Sequence, residues 1–375
     1  MLKTKILTIL LGCCLTLTGC TQAAEAPTAP KEPSAEEKIT TMVEKLTIEE
    51  KVGQMMIVGI PGTGADSTAL DMVRKYHVGG IILFDRNLST PSQVTSLNSA
   101  LQGENKKTSP AQLFICVDQE GGQVARMRSY LPVAPAAQTL GEEKSPLKAK
   151  EWAVKTAQGL KTMGFNVNFA PVADLGFTNR RSYGTSSAKV TPFVTAAMEG
   201  YANEGIISSI KHFPGIGRAM VDPHNDSSAI KASKAELQED FQPFQTIVGT
   251  RDNDTFMIMA SHLIYPAYDS RPASVSKVLL TDVLRNNWGY KGIIITDDMA
   301  MGGLANLYSS KEMGPLAVMA GADILLSCSD NPAMTIDIYN SVVAGVKNGT
   351  IPLNRINESV ERIYKTKYKM GLLLL

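Results

Sequence analysis

The sequence has little from which a disulfide framework or a metal centre could be built. It holds 5 cysteines and 4 histidines in 375 residues, and none has the spacing of a zinc site. Cys116 and Cys328 lie inside apolar runs and are expected to be small buried hydrophobic residues. The histidines are far apart along the chain, at His77, His212, His224 and His262. We therefore expect no metal and no cofactor.

The chain also lacks an excess of charge of either sign. Its 37 Lys and Arg residues against 36 Asp and Glu residues leave a formal net charge of +1. Because nucleic-acid binding needs clustered basic residues, and basic runs are few, we expect no nucleic-acid partner. Apolar residues are abundant, at 44% of the chain, which is enough to bury a large core. Length alone allows one large barrel or two domains.

No apolar run at the N-terminus is long enough to span a membrane. Lys3 and Lys5 precede a short apolar stretch at residues 6–17, the arrangement of a signal peptide rather than a spanning helix. We assign residues 1–19 to this peptide. The four residues that end at Cys20 resemble a bacterial lipobox, and the resemblance implies that Cys20 is lipidated and becomes the first mature residue. The alternative is an ordinary signal peptide that is cut nearby.

Residues 20–36 are expected to form a flexible tether. They are rich in Ala, Pro, Thr and Glu and show no apolar period. A tether behind a lipidated Cys20 is consistent with a protein anchored at the extracytoplasmic face of a bacterial membrane. We also expect a monomer.

Residues 37–375 are expected to form a single catalytic domain, since no linker interrupts them. Short apolar runs alternate there with longer amphipathic ones. The expected strands are Gln54–Gly59, Gly80–Phe84, Gln112–Val117, Asn166–Pro171, Ile206–Ile210, Thr255–Ala260, Gly292–Thr296 and Ala322–Leu326. The expected helices are Thr68–Tyr76, Pro91–Gln102, Leu147–Met163, Pro192–Glu204, Lys234–Val248, Lys277–Asn287, Lys311–Ala320, Ala333–Lys347 and Leu353–Met370. Eight strand–helix units predict an α/β fold of the (β/α)8 TIM-barrel type. A doubly wound open sheet is the alternative, because the pattern cannot reveal closure.

Polar residues gather at the carboxyl ends of the expected strands, where barrel enzymes hold their active sites. Five of the strands end in Asp118-Gln119-Glu120, Asp174, Lys211-His212, Ser261-His262 and Asp297-Asp298. One polar strand end is ordinary, because the chain meets water there. Five on one rim predict a site.

The loop after the fifth strand carries an acid and a histidine two residues apart, Asp222 and His224. In extended backbone, residues i and i+2 lie on one side, and Pro223 favours extended geometry at Asp222. The Asp222 carboxylate can therefore orient the His224 ring and support its charged form. The alternative is a polar surface loop with unrelated histidines.

Several motifs in order make the chain resemble the β-N-acetylhexosaminidases of glycoside hydrolase family 3. The motifs are Gly80-Ile81-Ile82-Leu83-Phe84 with Arg86-Asn87, Asp118-Gln119-Glu120-Gly121-Gly122, Asn168-Phe169-Ala170-Pro171-Val172 with Asp174, Arg181-Ser182-Tyr183, Lys211-His212-Phe213-Pro214-Gly215, Pro272-Ala273-Ser274, and Gly292-Ile293-Ile294-Ile295-Thr296-Asp297-Asp298-Met299. The resemblance spans roughly residues 40–370.

This resemblance implies a retaining mechanism through a covalent glycosyl intermediate on Asp297. A strand end is a rigid place for an ionised carboxylate beside the anomeric carbon. Asp298 is the alternative nucleophile, although side chains alternate along an extended segment and only one neighbour should face inward. For both, an N-cap role at the following helix is the structural alternative.

The same resemblance implies that His224 is the acid/base and Asp222 its partner. It also assigns the substrate contacts to Asp118, Arg126, Arg181, Lys211 and His212. Carboxylates and cationic donors suit sugar hydroxyls and an acetamido carbonyl. For Arg126 the alternative is a plain surface arginine. His262 receives no role beyond that of a hydrogen-bonded rim residue.

Five positions depart from the family's usual residues. The family usually has His, Asp and Thr where this chain has Ile216, Arg218 and Ala219, Ser where Pro223 stands, and Arg where Gln123 stands. Pro223 removes a backbone donor and stiffens its loop. These changes bear on leaving-group specificity more than on the reaction type.

The implied activity is that of a retaining exo-β-N-acetylglucosaminidase. Its expected substrates are N-acetylglucosamine-containing glycans, either peptidoglycan fragments or chitin-type oligosaccharides. Three alternatives stay open from the sequence: a β-glucosidase, a β-N-acetylglucosaminide phosphorylase, and an inactive lipid-anchored sugar-binding protein.

Overall fold

Eight parallel strands form one sheet that closes on itself. The computed structural model of the protein describes residues 32–176, 179–219 and 228–375. The strands are β1 (Met56–Gly59), β2 (Gly80–Ile82), β3 (Phe114–Val117), β4 (Val167–Asn168), β5 (Ile207–Phe213), β6 (Phe256–Ala260), β7 (Ile293–Thr296) and β8 (Leu325–Ser327). Their order is β7-β6-β5-β4-β3-β2-β1-β8. A parallel bridge between Ile295 and Ile324 joins the two ends of this order, so the sheet is a barrel.

Helices surround the barrel and connect its strands. They are α1 (Ala35–Lys45), α2 (Ile48–Gln54), α3 (Ser67–Arg74), α4 (Pro91–Asn105), α5 (Ala137–Glu142), α6 (Pro146–Thr162), α7 (Ser187–Asn203), α8 (Lys234–Thr250), α9 (Gly302–Ala305), α10 (Ser310–Ala320), α11 (Pro332–Lys347) and α12 (Leu353–Lys369), with a π-helix at Val278–Asn287. Strands buried on both faces need continuous apolar sequence, and β3, β6 and β7 are buried along their whole length.

The single TIM-type barrel is confirmed, and all eight expected strands are present. None has the expected bounds, and the differences in β4 and β5 bear on the site. β4 has only two residues, Val167 and Asn168, because the Asn168 side chain pairs with the backbone of Gln119 and the chain then turns through Pro171. β5 runs on to Phe213, with a shift of register between Lys211 and Phe213.

Three helices depart most from the expectation. α7 begins at Ser187 and contains Pro192, where the sequence predicted the start. Neither α5 nor α9 was predicted, because six and four residues carry too little periodicity.

The amino-terminal end of the barrel is closed by buried charged side chains. Lys367 of α12 is fully buried, and its Nζ donates to Gln54 Oε1 at 3.1 Å and to the Gly79 carbonyl at 3.2 Å. The ammonium also lies 4.7 Å from the centre of the Phe114 ring. Asp323, likewise fully buried, pairs with three arginines, Arg285, Arg355 and Arg362. The end of the barrel that is open to a substrate is therefore the opposite one, at the carboxyl ends of the strands.

Some expectations fall on parts of the chain outside the described residues. These are the signal peptide 1–19, Cys20 with the first part of the tether, and Asp222 and His224. The end of the expected tether was wrong: Ala35 and Glu36 belong to α1, which Ser34 caps through the N–H of Glu37. Within the ranges that are described, no helix is both long and apolar enough to cross a membrane.

Candidate active site

A cavity of about 370 Å³ opens at the carboxyl ends of the strands. Its walls carry Asp118, Arg126, Arg181, Lys211, His212 and Asp297. These are all the described residues that the sequence analysis assigned to substrate binding or catalysis. They come from three strand ends and two loops, and barrel closure brings them to one rim.

Asp297 follows the last residue of β7. Its N–H donates to the carbonyl of Ala260 at 2.9 Å, and its Oδ1 accepts the N–H of Asp298 at 2.8 Å. Burial raises the pKa of Asp297, but His212, His262, the Asp298 N–H and Lys211 outweigh it and hold the pKa below its usual value. The carboxylate is therefore ionised at neutral pH, as a nucleophile requires.

Asp298 is engaged elsewhere, although it too borders the cavity. Its Oδ1 accepts the N–H groups of Cys328 at 2.9 Å and Ala300 at 3.1 Å, so it organises the turns after β7 and β8. Burial raises the pKa of Asp298. The geometry favours Asp297 over Asp298 as the reactive carboxylate.

Two cations and two carboxylates form a cluster on the cavity wall. Lys211 Nζ donates to Asp118 Oδ1 at 2.6 Å and to Glu120 Oε1 at 2.8 Å. Arg181 grips Glu120 with two parallel bonds, Nε to Oε2 at 2.8 Å and Nη2 to Oε1 at 2.7 Å. Such fork-shaped pairs fix both partners in orientation.

The cluster keeps its charges despite burial. Burial raises the pKa of Glu120, but Lys211 and Arg181 outweigh it and lower the pKa to about 2. Burial lowers the pKa of Lys211, and Asp118 and Glu120 reverse this so that the pKa lies above its usual value. The cavity therefore presents fixed donors and acceptors, which is what recognition of sugar hydroxyls needs.

His212 is held by a buried acid. Asp174 Oδ2 lies 2.7 Å from His212 Nδ1, and Asp174 Oδ1 accepts the N–H groups of His212 at 3.1 Å and Ile216 at 2.9 Å. Asp174 is completely buried. The carboxylate thus sets the orientation of the imidazole at the cavity wall.

Arg126 lies at the cavity edge and is not a plain surface arginine. Its Nη1 donates to Asp85 Oδ2 at 2.6 Å, and its guanidinium lies 5.7 Å from the centre of the Phe84 ring. The Nε atom of Arg126 is buried and has no hydrogen-bond partner among the described residues. A substrate contact by Arg126 stays a prediction.

His262 is a hydrogen-bonded residue beside the site, as expected. Its Nδ1 lies 2.7 Å from Ser274 Oγ, and its Nε2 lies 2.9 Å from the carbonyl of Asp298. Burial lowers the pKa of His262. Both ring nitrogens are used by the fold.

Of the two cysteines expected to be buried hydrophobic residues, Cys116 is buried in β3 and Cys328 is not fully so. Cys328 lies just after β8 and borders the cavity, because a strand end on the catalytic rim faces the site. Burial of the sulfur raises the pKa of the Cys328 thiol well above its usual value, so it stays neutral.

The acid/base pair proposed from sequence, Asp222 and His224, lies in residues 220–227, outside the described residues. Three of the positions that differ from the family's usual residues, Ile216, Arg218 and Ala219, lie just before this gap and are among the described residues. Ile216 is buried, and the Arg218 guanidinium pairs with the buried Asp240 at 2.5 Å. Arg218 thereby ties the chain between β5 and residue 219 to α8.

Sequence reasoning missed three charged residues that shape the site. Glu120 and Asp174 stood at strand ends that were already noted, so the same rule could have found them. Their roles depend on partners from other strands, which the sequence does not reveal. Asp85 carried no signal, since a lone acid in a loop is usually solvated.

A model of the family described as the glycosyl hydrolase family 3 N-terminal domain matches residues 47–366. A protein named beta-hexosaminidase from Haemophilus ducreyi is 33% identical over 298 residues, covering 77% of this chain and 85% of its own. A protein named as an uncharacterized secreted glycosyl hydrolase from Arthroderma benhamiae is 33% identical over 339 residues, covering 86% of this chain and 93% of its own.

Solved structures agree with this similarity. A glycoside hydrolase family 3 beta-N-acetylglucosaminidase from Paenibacillus sp. superposes with a TM-score of 0.84 at 32% identity. The match covers 87% of this chain but only 63% of that protein. The beta-N-acetylglucosaminidase from Thermotoga maritima gives a TM-score of 0.76 at 27% identity, covering 84% of this chain and 67% of its own.

Proposed function

Because the chain belongs to glycosyl hydrolase family 3 and is a glycoside hydrolase, we propose that it removes terminal N-acetylglucosamine from the non-reducing ends of glycans. The observation that carries this proposal is the ionised Asp297 carboxylate in a cavity lined by paired donors and acceptors. The names of the relatives support the N-acetylated sugar.

The sugar is bound by Asp118, Lys211, Arg181, His212 and Arg126. The carboxylate of Asp118 accepts from hydroxyls, and the cationic groups donate to hydroxyls or to the acetamido carbonyl. Support comes from the pairing of each group with a carboxylate before a substrate arrives: Lys211 pairs with Asp118 itself, and the other three cationic groups pair with neighbouring acids, namely Glu120, Asp174 and Asp85. Such preorganisation lowers the entropic cost of binding.

The reaction is a double displacement with retention. An oxygen of Asp297 bonds to the anomeric carbon while the bond to the leaving oxygen breaks, and His224 donates its proton to that oxygen. Water then attacks the anomeric carbon, His224 takes up the water's proton, and Asp297 leaves as a carboxylate. Asp222 orients His224 throughout, as their spacing in the sequence indicates.

The substrates are peptidoglycan fragments or chitin-type oligosaccharides outside the cytoplasm. The lipobox-like end of the leader and the tether 20–36 support an anchor at Cys20 and a position at the extracytoplasmic face of a bacterial membrane. Glycans of the cell wall are within reach of such an enzyme.

The test is trapping of the intermediate with a 2-fluoro glycosyl inactivator, followed by mapping of the labelled peptide. Label on Asp297 is expected. Label on Asp298 would show that Asp298, and not Asp297, is the nucleophile.

A parallel assay compares aryl β-glycosides with and without the N-acetyl group. Preference for the unsubstituted sugar would make the protein a β-glucosidase. Release of sugar 1-phosphate when phosphate is added would make it a phosphorylase.

A further inference from the structure

We propose that Glu120 is a positioning residue of the sugar pocket, holding Lys211 and Arg181 in their binding geometry. The inference rests on the proposed function, because it takes the ligand of Lys211 and Arg181 to be a sugar. Sequence reasoning assigned no role to Glu120.

Glu120 uses both of its carboxylate oxygens within the cluster. Oε1 accepts from Lys211 Nζ at 2.8 Å and from Arg181 Nη2 at 2.7 Å, and Oε2 accepts from Arg181 Nε at 2.8 Å. The side chains of Lys211 and Glu120 are only 3% and 7% exposed. Glu120 borders the cavity, but three protein donors take most of the acceptor positions of its carboxylate, so Glu120 acts on a sugar mainly through its two partners.

The charge count of the cluster requires this acid. Asp118 and Glu120 together balance Lys211 and Arg181, so the cluster is neutral as a whole. Without the charge of Glu120, one carboxylate would face two buried cations that repel each other. Arg181 would then lower the pKa of Lys211 with only Asp118 to oppose it.

The backbone around Glu120 is built to aim it inward. The N–H groups of Glu120 and Gly121 both donate to the carbonyl of Val124, at 2.9 and 3.0 Å. Gly121 has φ +99°, and a Cβ there would lie 2.8 Å from the carbonyl of Ala134. This turn presents Glu120 from the end of β3 to Arg181, which follows β4, and to Lys211 in β5. One side chain therefore ties three consecutive strand ends together.

The test compares Glu120→Gln with Glu120→Asp. Gln keeps the size and removes the charge, whereas Asp keeps the charge and shortens the reach. N-acetylglucosamine binding is measured by calorimetry from pH 6 to 10, with kcat and KM on an aryl N-acetyl-β-glucosaminide at the same pH values.

At pH 7 we expect Glu120→Gln to bind at least about tenfold more weakly than the wild type, since two charge-assisted contacts lose their acceptor charge. The ratio of the two affinities should grow as pH rises, because Lys211 loses its proton earlier in the variant. Glu120→Asp should bind weakly without this added pH dependence, since it retains the charge. If both variants only disturbed the shape of the pocket, their affinities would change with pH in the same way.

Glu199 supplies a matched control. It too lies between a lysine and an arginine, Lys150 and Arg251, but on α7 and away from the cavity. Glu199→Gln should leave the affinity within about twofold, because the two partly exposed pairs that it weakens do not border the cavity. Thermal unfolding of the variants shows whether each is folded.

Wild-type affinity in Glu120→Gln at every pH would overturn the inference and leave the proposed function standing. So would equal losses with the same pH dependence in both Glu120 variants. A wild-type protein that neither binds nor cleaves an N-acetylglucosaminide would remove the proposed function, and this inference with it.

Discussion

Four acids at one cavity, of which Asp174 is fully buried and the others partly, are given different tasks by their surroundings. Asp174 and Glu120 each accept several donors from the protein, so their oxygens are committed to positioning. Asp298 is committed to the backbone of the neighbouring turns. Asp297 accepts one backbone N–H and stays ionised through nearby positive groups. A carboxylate that is charged and lightly engaged is the one that can attack a carbon.

Asp297→Asn should lower kcat/KM on an aryl N-acetyl-β-glucosaminide by at least about a thousandfold, because an amide cannot form the glycosyl ester. Steady-state assays of purified protein measure this. Asp298→Asn is the neighbouring comparison, since its Oδ1 still accepts from Cys328 and Ala300. Loss in Asp298→Asn equal to that in Asp297→Asn would contradict the assignment.

Asp174→Asn should raise KM for the same substrate by about tenfold and lower the free energy of unfolding by about 1–3 kcal/mol. The buried amide cannot accept from all three donors that the carboxylate serves, so His212 loses its fixed orientation. Kinetics and urea unfolding test the two effects. An unchanged KM in a destabilised variant would show that Asp174 serves the fold alone.

At the scale of elements, the site depends on where strands stop and which loops follow. β4 stops after two residues because Asn168 turns its side chain to the Gln119 backbone, which fixes the loop that carries Glu120. β5 continues to Phe213, so Lys211 and His212 are still within the sheet and rigid. α12 crosses the other end of the barrel and buries Lys367 there.

Lys367 should make stability depend on pH. Burial lowers the pKa of Lys367 to about 7, below that of an unfolded lysine. Between about pH 7 and 10 the unfolded chain binds more protons, so the wild type gains stability as pH rises, by about 1.4 kcal/mol per pH unit from this group. Below about pH 7 Lys367 is protonated in both the folded and the unfolded chain, so the free-energy cost of burying its charge no longer changes with pH.

The matched variant is Lys367→Met, which keeps the length and removes the proton. Denaturant unfolding at pH 7 and pH 9.5 should show the wild type gaining stability relative to Lys367→Met as pH rises. Parallel pH dependence of the two proteins would mean that Lys367 titrates normally in the fold.

At the scale of the whole molecule, barrel closure decides which residues meet. β3, β4, β5 and β7 come from distant parts of the chain, yet their carboxyl ends share one rim. α1 begins at Ala35, so the anchor proposed at Cys20 would be joined to the barrel domain through the segment between Cys20 and Ala35.

Cys20→Ser should move the protein from the membrane fraction to the soluble fraction when it is expressed in a bacterium, because the lipid supplies the membrane affinity. Cys14→Ser is the control, since Cys14 is expected to leave with the leader. Radiolabelled palmitate should enter the wild type and Cys14→Ser alike. A wild type that is soluble and unlabelled would show that the leader is an ordinary signal peptide.

The repeat of apolar and amphipathic segments and the polar strand ends could be recognised without coordinates. That was enough to predict eight strand–helix units and a polar rim, whereas the choice of the residues that line the cavity came from the resemblance to a known family. The partners of Arg126 and His212 could not be predicted, because Asp85 and Asp174 lie 41 and 38 positions away in the chain. No local pattern links residues at such separations.

The amino-acid sequence by itself determined the succession of strands and helices and the kinds of chemical group at the strand ends, because apolar segments must be buried and polar strand ends meet water. Only the tertiary structure decided that the sheet closes and how those groups pair. It placed Glu120 between Lys211 and Arg181, and Asp174 under His212. The physical reason is that the charge state and orientation of a buried group depend on its neighbours in space, and closure of the barrel chooses those neighbours.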